Sequence, residues 1–397
     1  MTGTALLTDW QGEEFHLEDE IILVREGCHQ LFLLNDTAGK IWRGLHKNQS
    51  IDEICINLAK EYGMPLPVIQ QDVEKIIVDW ETSGLTGPLP VQTTASSCDL
   101  ADYGAVKTLP TSPVMPVHWF YESTYRLNDY LFHVCYENAA IKNAVHPLIA
   151  HLQDNELPEY HGSFELRVNE NKFDLSVDGH TGFSYDSLDM LAMMMNKQIV
   201  SAACKAGNNL IVMHAAAVAQ DGHCIVMPGM GGCGKSTLTA ALLQAGMTYL
   251  SDDIVPIDRH TQQAIPLPIS LNLMVGSLEI PGLLSDTKLL HEYRYEQRRV
   301  WYYQPPAYKD KTPQGSYPVK YLVFPGYESG ASTTLQALTP GQALQYLARS
   351  QSVLGKQKDT HCLTDLLDWL TAVPAFELRY ESLMEACETV QTLLTDH

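Results

Sequence analysis

Basic side chains are scarce in this chain. Lys and Arg together number 26 against 47 Asp and Glu, a formal net charge of −21. That balance repels nucleic acid and anionic membranes unless a local basic patch offsets it. No block of Lys and Arg long enough to do so occurs, so neither nucleic acid nor membrane is expected as a partner. Long apolar runs are also missing: nothing approaches the ~18 residues that a spanning helix needs. The opening MTGTALLTDWQGEEFHLEDE has neither the basic start nor the apolar centre of a secretory signal. The nine cysteines are scattered, without a CxxC pair or zinc-finger spacing. Such cysteines fit small buried hydrophobes of a reducing compartment. Together these absences predict a cytoplasmic protein. What is present suffices for a core, with 45% hydrophobic residues in 397, a length that predicts two or three domains.

Composition breaks once. The stretch LPVQTTASSCDLADYGAVKTLPTSP, residues 89–113, is rich in Ser, Thr, Pro and Ala without apolar period, and reads as a linker. Before it, residues 1–88 form one unit. EIILVREG and HQLFLLN predict two short strands joined by a turn at 26–28. DTAGKIWRGL predicts a helix capped by its Asp. SIDEICINLAKEYG predicts a second, with Ser50 as N-cap, Glu53 closing a capping box and Gly63 as the stop. PLPVIQQDVEKIIVDWETSGL predicts a third helix, apolar at Val68, Val73, Ile76, Ile77 and Trp80.

Two strands and three helices make a winged-helix-like fold, and such folds often bind DNA. Residues 1–90 carry six basic and fifteen acidic side chains, a formal net of −9. The third helix, where a reading helix belongs, holds Asp72, Glu74, Asp79 and Glu81. Phosphate binding requires the opposite sign. The unit instead resembles the PqqD family of peptide-chaperone domains, on LFLLNDTAGKIW, the SIDEICINLAKEYG helix and VEKIIVDWETSGL, across most of 13–86. The resemblance implies recognition of a leader peptide by strand addition at an open sheet edge. The implied edge is Gln30, Leu31, Phe32, Leu33 and Leu34, and the implied helix wall includes Val73 and Ile77. A purely structural or dimerising lobe is the alternative.

Residues 114–207 predict a mixed lobe. GSFELRVNENKFDLSVDG reads as a hairpin around 169–171, and SYDSLDMLAMMMNKQIVSAACKAG as a helix capped by Ser184 or Asp186 and stopped by Gly207. Its methionine stripe reads as core packing. No chemistry is evident there.

Residues 208–397 carry the chemistry. Residues 229–236, GMGGCGKS, match G-x-x-x-x-G-K-[ST], after an apolar strand (HCIVMP) and before a helical pattern (STLTAALLQAG). In that context Gly229, Gly231, Gly232, Cys233, Gly234, Lys235, Ser236 and Thr237 are the expected nucleotide contacts. Glycines turn backbone N–H groups onto phosphates at a helix N-terminus. Lys235 would reach the β- and γ-phosphates and Ser236 would offer its hydroxyl to Mg²⁺. QDG at 220–222 reads as a hairpin turn. Pairing Ala219 with His223 would set His214 opposite Pro228, at the mouth of the loop. Beyond the helix, a strand–helix–strand unit with parallel strands would bring Asp252 and Asp253 to the same edge. Of two carboxylates there, one can hold Mg²⁺ and the other accept a proton from an attacking hydroxyl.

MHAAAV, PGMGGCGKSTL and LSDDIVPI resemble the HPr kinase/phosphorylase family and its smaller kinase relatives. His214 stands 21 residues before Lys235, and Asp252 stands 17 after it. The resemblance implies Asp252 as the base at an acceptor hydroxyl and His214 as an orienting group. It implies Asp253 and Ser236 on the metal side, with ATP or another nucleoside triphosphate and Mg²⁺ as cofactors. PLPISLNL, YLVFPGYESG and AFELRYESLMEACETV look like the C-terminal half of the peptide-tailoring relatives. Asn272 stands where those relatives would carry a basic residue. Arg294, Arg298 and Arg299, among aromatics in HEYRYEQRRVWYYQPPAYKD, could belong to a mobile lid.

The sequence therefore predicts a mixed α+β and α/β chain: an N-terminal winged-helix-like PqqD-type domain and a C-terminal P-loop domain like that of HPr kinase. The expected activity is ATP-dependent phosphorylation of a Ser or Thr hydroxyl on a ribosomally made precursor peptide, with a homo-oligomer left open as the assembly. Phosphorylation of another protein or a small hydroxyl metabolite, and a non-enzymatic ATP sensor, remain open on the residues alone.

Overall fold

A computed structural model gives the arrangement of the chain. It describes residues 12–17, 20–25, 31–83, 85–86, 118–154, 159–280, 282–284, 290–295, 298–304, 313, 315–350, 352–354 and 360–395. The linker expected at 89–113, the turn at 26–28 and Gln30 lie outside the described residues. The chain divides into two compact units, one of residues 1–97 with 340–345 and one of residues 98–339 with 346–397.

The first unit runs β1 (Gly12–Leu17), β2 (Glu20–Arg25), β3 (Leu31–Leu34), α1 (Asp36–His46), α2 (Ile51–Tyr62) and α3 (Leu66–Ser83). Its antiparallel sheet has the order β1-β2-β3, with Leu17 opposite Glu20 and Ile21 opposite Leu34. Two strands were expected and three are present. β1 escapes a hydropathy reading because Leu17 is its one buried side chain. The cap of α1 is Asn35, whose side chain accepts from the Ala38 N–H at 2.9 Å, and not the expected Asp36, which is the first helical residue. On α2 the capping box of Ser50 and Glu53 forms as expected, and Gly63 ends the helix at φ 63°. α3 buries Ile69, Val73, Ile77 and Trp80, a spacing of four, four and three that keeps one face inward. Val68, expected on that face, is exposed. Trp42 has no exposed surface, meets Trp80 edge to face at 5.7 Å, and donates its indole N–H to Glu14 Oε2 at 3.2 Å.

From residue 118 the elements are β4 (Tyr121–Leu127), β5 (Tyr130–Tyr136), α4 (Ala139–Ile149), β6 (Gly162–Asn169), β7 (Lys172–Val177), β8 (His180–Tyr185), α5 (Leu188–Ala206), β9 (Asn209–Met213), β10 (Ala215–Gln220), β11 (His223–Pro228), α6 (Lys235–Gln244), β12 (Thr248–Ser251), β13 (Val255–Asp258), β14 (Gln263–Ala264), β15 (Leu271–Leu273), α7 (Val275–Leu278), β16 (Leu290–Tyr295), β17 (Arg298–Tyr303), β18 (Tyr317–Tyr327), β19 (Thr334–Leu338), α8 (Pro340–Arg349), β20 (Val353–Leu354), α9 (Thr360–Ala372), β21 (Ala375–Tyr380) and α10 (Leu383–Thr395). β4 to β8 form a five-stranded sheet, antiparallel except for β5 and β6. The expected hairpin closes between Asn169 and Lys172. α5 is capped by Ser187, which accepts from the Met190 N–H at 3.2 Å; Ser184 lies within β8 and Asp186 precedes the cap. Met193 and Met195 pack in the core, as the stripe predicts. That core also takes in Val212, Leu267, Ile269 and Tyr302, so residues 118–206 and the later chain share one interior.

A long sheet follows the order β12-β10-β11-β18-β14-β13-β9-β20, with β21 beside β18 and β19 beside β21. β10 runs antiparallel to both β11 and β12. Those two strands therefore run parallel, one strand apart, and their C-terminal ends reach one edge. β18 and β21 run parallel to β11 on its other side. A third sheet, β15-β17-β16, contains the arginine-bearing stretch expected as a lid without period. Its described part, Leu290–Tyr295 with Arg298–Tyr303, is an antiparallel strand pair in which Arg294 faces Arg299.

Replacing Trp42 with Ala removes a fully buried ring from the first unit. A loss of about 3–5 kcal/mol in that unit's stability is expected, against a smaller loss for Trp42→Phe. Chemical denaturation followed by near-ultraviolet circular dichroism measures both.

Candidate functional site

The site is assembled at the edge where β11 and β12 end. β10 and β11 are joined by Asp221 and Gly222, both at positive φ (51° and 80°). That two-residue turn pairs Gln220 with His223 and Ala215 with Pro228. The register is one residue off the expected one, because the turn closes on two residues and not three. His214 consequently stands opposite Gly229, and its carbonyl accepts the Gly229 N–H at 3.1 Å. It occupies the single-residue step at which the chain leaves β9, paired with β13, and enters β10, paired with β11 and β12.

The loop from Gly229 to Gly234 needs glycine at its end. Gly234 has φ 97°, and a β-carbon there would collide with the Tyr380 hydroxyl. Gly234 is the N-cap of α6 and offers no side chain, so the first N–H groups of that helix have no side-chain cap. Two strand ends brace the loop from outside. The Tyr327 N–H donates to the Cys233 carbonyl at 3.2 Å, and the Tyr380 hydroxyl donates to the Gly234 carbonyl at 3.4 Å. Lys235 is 6% exposed, and its ammonium donates to the carbonyls of Gly229 (2.6 Å) and Met230 (3.0 Å). The Cys233 sulfur lies 4.0 Å from the same ammonium. Thr237 and Ser277 share a hydroxyl hydrogen bond of 2.7 Å.

Two carboxylates close the site and do different things. Asp252 is 2% exposed. It accepts from Ser236 Oγ, 3.1 and 3.0 Å from its two oxygens, and from the Asn272 N–H at 3.2 Å. Burial, helped by the neighbouring charge of Asp253, pushes its pKa up to about 6, against the pull of those donors and Lys235. Asp253 is half exposed at 48% and has φ 80°, a left-handed conformation unusual for a residue with a β-carbon. One of its oxygens lies 2.8 Å from His214 Nε2. Burial among protein atoms would raise its pKa; the hydrogen bond and charge of His214, with Lys197 and Lys235 further off, outweigh this and hold it below the ordinary value. His214 Nδ1 and Asn272 Oδ1 are buried without a partner among the described residues.

The structure thus brings together His214, Lys235, Ser236, Asp252, Asp253 and the glycine loop. Sequence reasoning missed Tyr327, Tyr380, Ser277 and the Asn272 backbone. Only the tyrosines had a signal, as aromatic ends of the apolar strands in YLVFPGY and AFELRY. Of the three arginines expected in a lid, two are described with partners. Glu292 accepts from Arg294 (3.3 Å) and Arg299 (2.8 Å), the Arg294 N–H goes to Asp189, and the Arg299 guanidinium lies 5.3 Å from the Trp301 ring centre. The Arg298 side chain is outside the described residues.

In the first unit, β3 is one of the two outer strands of its sheet among the described residues. Phe32 and Leu33 are half-buried and Leu34 is buried, while the Leu31 side chain is outside the description. Val73 and Ile77 do not line a groove. At 1% and 8% exposure they belong to the unit's own core, because α3 turns that face inward.

Residues 20–85 match the family model described as coenzyme PQQ synthesis protein D (PqqD). That match spans β2 to α3 and identifies a PqqD-like domain. No curated protein matches the chain. No helix among the described residues is long and apolar enough to cross a membrane.

The buried Asp252 gives a pH signature. The folded protein holds a proton on it that the unfolded chain releases near the usual carboxylate range, so stability falls as pH rises from about 4 to about 6 and is level above. In metal-free buffer Asp252→Asn should lack this fall and exceed the parent by on the order of 2 kcal/mol at pH 8. The difference between the two unfolding profiles against pH measures it, and parallel profiles would refute it.

Proposed function

We propose that this chain is a phosphotransferase that moves the γ-phosphoryl group of ATP onto a hydroxyl of a ribosomally made precursor peptide. The observation that carries the reading is the pairing of Ser236 with Asp252 and of His214 with Asp253 beside one glycine loop.

The donor set suits a hard divalent cation. Ser236 Oγ and the Asp252 carboxylate are adjacent oxygen ligands, and the unpartnered Asn272 Oδ1 belongs to the residue whose N–H already holds Asp252. These residues would hold Mg²⁺, which when bound supplies positive charge against the β- and γ-phosphate oxygens. The uncapped N–H groups of α6 and Lys235 would hold the phosphates. Lys235 must first exchange its two loop carbonyls for phosphate oxygens, a replacement of like acceptors by charged ones.

The roles expected of the two aspartates are exchanged in this reading. Asp252 is buried against Ser236 and belongs on the metal side. Asp253 is half exposed, ionised at neutral pH and oriented by His214, as a general base must be. The acceptor oxygen bonds to the γ-phosphorus as the bond to the leaving oxygen of ADP breaks. The acceptor proton passes to the Asp253 carboxylate. The left-handed backbone at Asp253 fits a position held against local preference for function.

The PqqD-like domain supports a ribosomal precursor peptide as the acceptor's carrier. A leader would add a strand along β3, through the backbone groups of 31–34. Holding the leader there raises the effective concentration of the reacting end at the catalytic site.

Incubation of the full chain with ATP, Mg²⁺ and the precursor peptide should add one phosphate, read by mass spectrometry. Lys235→Ala and Asp253→Asn should each lower kcat by roughly 10²–10⁴-fold. Removing the leader from the peptide should raise KM at least about tenfold with kcat little changed. No phosphate gained by any hydroxyl peptide would refute the reading. An unchanged KM without the leader would refute the role of the first domain alone.

A further inference from the structure

Tyr327 and Tyr380 stand side by side as the last residues of β18 and β21, yet their rings have opposite fates. Tyr380 is 2% exposed, packs against Gly234 and gives its hydroxyl to the loop. Tyr327 is 56% exposed, although its backbone N–H is fixed on the Cys233 carbonyl. The rings meet edge to face at 6.0 Å and 76°, a contact that steadies Tyr327 without covering it. The Tyr327 Cβ lies 3.5 Å from where a β-carbon on Gly234 would stand. An exposed, braced aromatic ring therefore adjoins the residue that starts α6, at the carboxyl ends of three parallel strands. Ligands of α/β sheets bind in that crevice.

We propose that Tyr327 is the stacking platform for the base of the nucleotide whose phosphates sit in the 229–236 loop. This rests on the phosphotransfer reading and adds its nucleotide subsite. Two polar groups beside the ring are already committed. The Glu328 N–H donates to the Tyr380 carbonyl at 2.9 Å, and the Ser329 hydroxyl donates to Glu381 at 3.3 Å. What the Tyr327 ring itself offers a base is its face. Stacking of that kind accepts any purine, so the site takes ATP and GTP alike.

Calorimetric titration of the full chain with ATP, GTP and inorganic tripolyphosphate, each with Mg²⁺, tests this. Wild type should bind ATP and GTP with similar Kd, and tripolyphosphate more weakly. Tyr327→Ala should weaken both nucleotides about tenfold and leave tripolyphosphate unchanged, and Tyr327→Trp should restore both. Undiminished ATP binding by Tyr327→Ala overturns the platform, as does an equal loss for tripolyphosphate, which would mark damage to the loop. Wild type that takes ATP and refuses GTP overturns the purine tolerance. Wild type that binds none of the three overturns the phosphotransfer reading itself.

Discussion

The second unit is organised around one costly placement, the carboxylate of Asp252 in a position almost without solvent. A buried carboxylate is tolerable only when donors converge on it. Two strands and a helix supply them or hold them in place. Ser236 comes from the first turn of α6, the Asn272 N–H from β15, and the preceding Ser251 ends β12 with its hydroxyl accepting the Leu267 N–H at 2.7 Å. Even so, the donors do not cancel the desolvation, and the group favours its proton more than an ordinary Asp does. A fold optimised for stability alone would place a neutral residue there. On the proposed reading, the carboxylate is there to hold a cation.

Adjacent residues on a strand-like path should point to opposite sides, and adjacent carboxylates should then serve unrelated surroundings. The left-handed backbone at Asp253 changes that outcome. Asp252 turns inward to Ser236 while Asp253 turns to His214, so two like charges share one site without sharing a hydrogen-bond partner. Their environments push the two pKa values apart, one up by burial and one down by a histidine. Such separation is how a single fold assigns distinct roles to chemically identical groups.

The local grammar of the chain was legible where short-range chemistry decides structure. The Ser50–Glu53 capping box, the Gly63 stop, the glycine loop with its flanks and the methionine packing of α5 all follow from residues a few positions apart. The errors lie where one residue of register or one turn of helix decides. The type of the 221–222 turn shifted His214 from Pro228 to Gly229. On α3 the buried stripe kept Val73, Ile77 and Trp80 as expected, took in Ile69 and left Val68 exposed. β1 was invisible because an edge strand with one buried side chain has no period to detect. Tyr327, Tyr380 and Asn272 reach the site from 91, 144 and 36 residues beyond Lys235's neighbour Ser236 along the chain, separations that no spacing rule bridges.

The burial of Val73 and Ile77 also constrains how the first unit could select a partner. If α3 presented apolar pockets, selectivity could rest on side-chain fit. With that face consumed by the core around Trp42 and Trp80, the free chemistry of β3 lies chiefly in its backbone, which pairs with many sequences. Selection would then fall to the half-buried Phe32 and Leu33 and to charge. The unit's excess of acidic residues disfavours acidic segments and admits basic or neutral ones. A recognition element of this kind would tether a class of peptides more than a single sequence, and the finer choice of acceptor would pass to the catalytic site.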